Sequence, residues 1–162
     1  MSAFAPPFQP GDYSTNAAHA ADLGKSYRVG ARTFVLCKAT AAISTPANKV
    51  VATALGGAAN AKAPTWSVAT TTTAFDPNSV GLIPAEYGTV TIPISAYFLV
   101  QTGGPALAIC AAAVAAGVAI GSSTTAGDVD DASAVAGNEI GVSLEAGTNA
   151  ADLIGVLLKP RF

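Results

Sequence analysis

The chain has 162 residues, of which 51% are hydrophobic and only 11% charged, and its formal net charge is −2. That length suits one domain or two very small ones and is enough to bury a real core. Soluble domains carry about 25% charged residues, so a chain this poor in charge either sits in a membrane or has much of its surface covered by other protein. Much of the apolar count is Ala, with many Gly, Ser and Thr beside it. Such a chain buries less area per residue than one rich in Leu and Phe, and its stability is expected to lean on a partner. The basic residues are spread singly, with no basic run interleaved with aromatics, which argues against a nucleic-acid partner. Up to Lys62 there are six basic residues against Asp12 and Asp22, a net of +4; beyond it Lys159 and Arg161 face eight acids, a net of −6. This is either scatter over a small total or a basic face for docking with an acidic face turned outward.

Residues 1–22 read as an extended arm. Pro6, Pro7 and Pro10 fix φ and remove backbone donors, and Phe4 and Phe8 lie among them as aromatics in need of a surface. From residue 23 to 162 the signals are those of strands. Gly30-Ala31 is a turn, followed by a run in which Phe34 and Leu36 share one face and Val35 and Cys37 the other. Further strands are expected within 47–55 and 66–73, with Asp76-Pro77-Asn78 as a turn. Val90, Ile92 and Ile94 alternate with Thr89, Thr91 and Pro93, which predicts a strand, with Pro93 marking an edge or a bulge. A run at Tyr97–Gln101 is expected to stop at Gly103-Gly104. Short runs at Leu107–Cys110, 118–120, 140–144 and 153–158 follow. They are separated by turn signals at Gly121-Ser122-Ser123, Ala126-Gly127-Asp128, Ala136-Gly137-Asn138 and Ala146–Asn149. Short, evenly spaced strands with Gly-rich turns predict an all-β fold, a small β-barrel or sandwich.

The apolar stretch from Ala106 to Ile120 is 15 residues long, short of the ~20 a membrane helix needs. It lacks flanking Lys, Arg or Trp anchors, and two strands joined at Ala115–Gly117 account for it. No signal peptide is visible at the N-terminus. Cys37 and Cys110 sit in apolar runs with no C-x-x-C pattern, so free, buried thiols are expected.

Catalytic chemistry is not expected. His19 is the single histidine, in the arm, and reads as solvated. No hydrolase constellation can be built on it, and no zinc-ligand spacing or nucleotide loop is present, so no cofactor is expected. Asp128, Asp130 and Asp131 could hold Ca²⁺ through oxygen ligands, but a solvated hairpin tip is the preferred reading of that cluster.

A family likeness enters with Tyr97-Phe98-Leu99-Val100-Gln101-Thr102-Gly103-Gly104-Pro105-Ala106. This segment resembles the aromatic, valine-glutamine, glycine strand of small capsid decoration (cement, head-stabilisation) proteins of tailed bacteriophages. In that group an apolar strand follows (here Leu107–Ala112), then a glycine turn with a short strand (Gly117–Gly121), then a G-x-V-D hairpin (Gly127–Asp130). Two closing strands end the module, here Ile140–Gly147 and Leu153–Leu158. The likeness covers residues 81–162 well and the first half weakly, and the long Ala run departs from it. It implies a structural virion protein on the capsid exterior: a small β-barrel, assembled as a homotrimer, that binds the major capsid protein and cements neighbouring subunits. It implies no direct contact with nucleic acid or membrane. Phe4, Phe8, Lys25, Arg28, Arg32 and Phe162 are the expected subunit contacts. The alternative is a tail- or fibre-associated module that binds the host surface.

Overall fold

The computed structural model describes residues 5–53, 66–74, 76–131 and 138–159. The fold is all-β, a closed five-strand barrel with extra strands. Two short 3-10 helices, Ala17–Asp22 and Ala85–Tyr87, are the helical elements among the described residues.

Chain order gives β1 (Tyr13–Ser14), β2 (Ser26–Val29), β3 (Arg32–Ala39), β4 (Val50–Thr53), β5 (Ser67–Thr70), β6 (Ser79–Leu82) and β7 (Tyr97–Ile109). Next come β8 (Ala119–Ser122), β9 (Val129–Asp131), β10 (Gly141–Ser143) and β11 (Leu153–Leu158). The barrel runs β3-β5-β4-β6-β7 and closes because β7 also pairs with β3. The β3–β5 pairing is parallel and the rest are antiparallel. The expected alternation in β3 holds. Val35 and Cys37 point into the barrel with Val51, Val68, Val80, Phe98 and Val100, whereas Phe34 and Leu36 point out with Tyr27, Tyr97 and Leu99.

β7 is 13 residues long and belongs to two sheets. Its first half pairs with β3, and its second half, from Gly104 to Ile109, pairs with β11. The Gly103-Gly104 signal is therefore a pivot within one strand rather than the strand end expected. Gly104 has φ +85°, and a Cβ there would stand 2.2 Å from the Ala31 carbonyl oxygen. Only glycine gives the positive φ and the close approach this pivot needs. The second sheet continues β7-β11-β10-β8-β9. It curls back on itself, since Val129 of β9 forms a parallel bridge with Cys110 and accepts from the Ala111 N–H at 2.8 Å. The inward residues of this half are Ala108, Cys110, Ile120, Val129, Ile154 and Val156, and Val50 and Leu82 from the outer wall of the barrel join them.

Three local expectations change. Residues 89–94 form no strand: Ile92 alone bridges to Ile43 and is buried, while Val90 and Ile94 are exposed. Turns close on either side of it, Val90 N–H to the Tyr87 carbonyl and Ala96 N–H to the Pro93 carbonyl, and Ser95 takes φ +66°. Gly121-Ser122 lies inside β8 rather than in a turn. The stretch 106–120 does contain two strands, but they are not neighbours, and β11 and β10 lie between them.

Residues 5–22 lie against their own sheet. β1 pairs with Phe98 and Tyr97, and Phe8 and Leu23 pack on the outer cluster of β2, β3 and β7. Tyr87 fastens this strap: its hydroxyl donates to the Asp12 carbonyl at 2.7 Å and accepts from the Leu99 N–H at 3.0 Å. Leu99 sits on the edge of β7 between its pairing with β1 and its pairing with β6 at Gln101, so the hydroxyl satisfies a ladder donor that neither strand reaches.

Candidate interaction surface

In β11 the inward residues Ile154, Val156 and Leu158 are buried, and the outward residues Leu153 and Leu157 stand 50% and 47% exposed. Antiparallel register sets Pro105 opposite Leu157, Leu107 opposite Gly155 and Ile109 opposite Leu153. On the other side Val142 lies opposite Leu157 and Ala119. Leu144, one residue past β10, donates its N–H to the Gly155 carbonyl and is 58% exposed. The outward face of β7, β11, β10 and β8 is thus a continuous apolar surface, roughly 15 by 20 Å from strand spacing and rise. The largest contiguous apolar patch on a typical monomer is about 300–600 Å² and is often functional.

Charged groups stand at both ends of the face, and the Leu157 end holds acids as well as a base, with Glu139 just before Ile140, whose carbonyl accepts the Lys159 N–H, and Asp131 in the row of Leu158, Gly141 and Ile120. At the Leu153 end, Glu145 Oε1 accepts the Gly155 N–H at 2.6 Å. A Cβ on Gly155 would come within 3.3 Å of that oxygen. Beside it Asp152 Oδ2 accepts from the Thr148 and Asn149 N–H groups at 2.7 and 3.0 Å and from the Thr148 hydroxyl at 3.1 Å. These donors hold its carboxyl below the usual carboxylate range. At the Leu157 end, Lys159 shares the outward parity of β11 and is exposed. There too a cavity of about 310 Å³ opens between Pro105–Leu107 and Arg32, Glu86 and Gln101. Arg32 Nη2 donates to Glu86 Oε1, which lowers the Glu86 pKa. The buried Gln101 Nε2 donates to the Pro105 carbonyl at 2.7 Å.

The residues expected to contact other subunits are dispersed. Phe4 and Phe162 lie outside the described residues. Phe8 is half-buried on its own sheet, edge-on to His19 with ring centroids 5.4 Å apart. His19 in turn lies 5.9 Å from the Tyr97 ring, so it is packed rather than solvated as expected. Lys25 is exposed and paired with Asp22. Arg28 is exposed, its Nε donating to the Gly30 carbonyl at 3.2 Å. Arg32 is tied to Glu86 and lies over the Phe34 ring.

The acidic cluster is not the solvated tip expected. Asp128 is buried where the β8–β9 hairpin meets the barrel, with Lys49 Nζ 3.8 Å from its Oδ1. Burial pushes its carboxyl up, and Lys49 only partly opposes this. Asp130 Oδ1 accepts the Asp131 N–H at 2.8 Å. Among the described residues no three His, Cys, Asp or Glu side chains gather as a metal site. Cys37 and Cys110 are free and buried, as expected.

Leu107, Leu144, Leu153 and Leu157 were legible only as parts of strands. A short strand apolar at both parities reads as buried on both faces, and here the described residues leave one face exposed.

No family model and no curated protein matches the chain. Among solved structures it is similar to the N base of head fiber gp8.5 of bacteriophage phi29. That match has 12% identity and a TM-score of 0.45, and it covers 79% of this chain and 94% of that one.

Proposed function

We propose that this chain is a structural protein of a bacteriophage virion that binds the outside of the head and cements neighbouring shell subunits. The observation that carries the reading is the bare apolar face on a chain with only 11% charged residues. A surface of that kind belongs inside an assembly. The resemblance of residues 81–162 to capsid decoration proteins supplies the kind of assembly. The physics of cementing is multivalent burial: each contact is modest, and a particle that grips more than one subunit gains avidity. The exposed Arg28, whose Nε meets only the Gly30 carbonyl, is suited to steer docking on an acidic shell surface, whereas Lys25 is paired with Asp22.

The experiment adds purified protein to phage shells assembled without it. Saturable binding with a raised shell-disruption temperature is the expected result, weakened by Arg28→Glu at low salt. Shells that neither bind the protein nor gain stability would overturn the reading.

A second reading, a fibre-associated module that binds host glycans, is favoured by one feature. A hollow of about 240 Å³ is walled by hydroxyls and a carboxylate, including Thr40, Thr53, Thr71 and Asp76. Micromolar binding to a bacterial surface polysaccharide, with no binding to shells, would put this reading first.

A further inference from the structure

We propose that the cavity between the barrel wall and the start of the second sheet is a receptor for one tryptophan side chain of the partner protein. The cavity has a volume of about 310 Å³. Leu82 and Ile83 line its barrel side, Ala106 and Leu107 its sheet side, and Arg32 and Glu86 stand at its rim. An apolar cavity of ~150 Å³ takes benzene, so there is room here for the two rings of an indole.

The polar groups choose the guest. Gln101 lines the cavity and is 1% exposed. Its Nε2 donates to the Gly103 and Pro105 carbonyls at 3.3 and 2.7 Å, so both amide protons are committed. Among the described residues no donor meets its Oε1. Unlike the sealed Asn48 Oδ1, this oxygen keeps an opening to solvent, and the opening is the cavity. A guest without a donor strips the oxygen of water and gives nothing back, and a site of that kind rejects it. The rim carries no net charge, because Arg32 Nη2 donates to Glu86 Oε1 while the guanidinium lies over the Phe34 ring. An anion would meet Glu86 and the Gln101 oxygen, and a cation would meet Arg32. A phenol brings lone pairs for which Gln101 has no proton left. The indole N–H donates and does nothing else, and it sits on a large apolar body that suits the walls.

Leu107 joins the cavity to the exposed face of β7, β11, β10 and β8. A partner laid on that face is placed to drop one side chain into the cavity, and a buried Trp is a common anchor where a few residues carry an interface. That the partner is a shell subunit rests on the cementing reading; the chemistry of the cavity does not.

The test titrates indole into the full chain, followed by amide NMR. Shifts that saturate and gather at Arg32, Glu86, Gln101 and Leu107 are expected. N-methylindole, which lacks the donor, should bind about tenfold more weakly. Gln101→Met removes the acceptor and should bring the two compounds level. If that variant folds poorly for want of its tie to Pro105, Leu107→Ala, at an exposed position, should weaken indole about fivefold with an unchanged circular dichroism spectrum. An absence of saturating shifts, shifts centred elsewhere, or N-methylindole binding as tightly as indole would overturn the proposal. The titration is made without shells. A protein that takes indole and ignores shells loses only the cementing reading, and one that binds shells and ignores indole loses only the tryptophan.

Discussion

The first half of β7 is covered on both faces, and the second half on one. Before the Gly104 pivot, Phe98 and Val100 fill the barrel, while Tyr97 and Leu99 lie under the N-terminal strap. After it, Ala108 faces the second core and Leu107 faces outward, 39% exposed. The two halves have cores of similar chemistry, so the difference lies in what finishes them. The barrel has the strap on one side and the second sheet on the other, since Val50 and Leu82 of its outer wall belong to the second core. Nothing among the described residues plays that part for the outer face of β11. Among the described residues the fold thus sheathes both faces of one half and leaves the outer face of the other exposed.

Because β7 is common to both cores, damage on the sheathed side should be felt on the bare side. Phe98 is fully buried, with its ring edge-on to Tyr87. Phe98→Ala is expected to cost about 3–5 kcal/mol. Chemical denaturation should still show one transition, with hydrogen exchange in β11 accelerated as much as in β3. Protection retained in β11 would show that the halves unfold separately, and the shared-strand account would fail.

The strap sharpens the same comparison. Tyr87→Phe removes a hydroxyl that holds both Asp12 and Leu99. It leaves a ladder N–H of β7 unsatisfied, at a cost of about 1–3 kcal/mol. Exchange of the Leu99 amide and of residues 8–14 should rise, while that of β10 and β11 follows only the global loss. If residues 8–14 exchange as in the wild type, Tyr87 is not what fastens the strap.

The junction between the halves titrates. The Asp128 carboxyl is raised above its ordinary 3.8 by burial, with Lys49 in partial opposition. The folded state thus holds that proton more tightly than the unfolded chain does. The stability this contributes is fully present below pH 3.8 and is lost as pH rises through the folded pKa. Asp128→Asn should remove that fall, so the variant gains on the wild type as pH is raised from 3.5 towards neutrality. Parallel pH–stability curves for the two proteins would mean that the carboxylate is already compensated by Lys49.

Alternation made β3 and the strand character of β7 and β11 legible, because side-chain parity there coincides with real cores on either side. It misled at Val90, Ile92 and Ile94, where the same period is interrupted by turns at Tyr87–Val90 and Pro93–Ala96 and only Ile92 goes inside. Gly121-Ser122 reads as a turn by composition. Ser122 is nonetheless buried in β8 because its hydroxyl donates to the Thr73 carbonyl and accepts from the Asp76 N–H, both at 2.8 Å. Partners 46 and 49 residues away leave no trace in local pattern. The glycine pair at 103–104 was visible, but its role depends on the Ala31 carbonyl that crosses it. The candidate surface was hidden for the same reason. Sequence shows that Leu153 and Leu157 lie opposite in parity to Ile154 and Val156; which parity a neighbouring layer covers is a matter of topology.

The smallest effect tests the bare face directly. Leu144 and Ile154 are apolar residues of neighbouring chain segments, one facing out and one facing in. Ile154→Ala should cost about 2–5 kcal/mol through the cavity it leaves. Leu144→Ser removes a side chain already more than half in water, so thermal denaturation of the dilute chain should show a change within about 0.5 kcal/mol. A loss above 2 kcal/mol in the dilute chain would mean that some part of the same molecule covers this face, and the contrast between the sheathed and bare halves would fall with it.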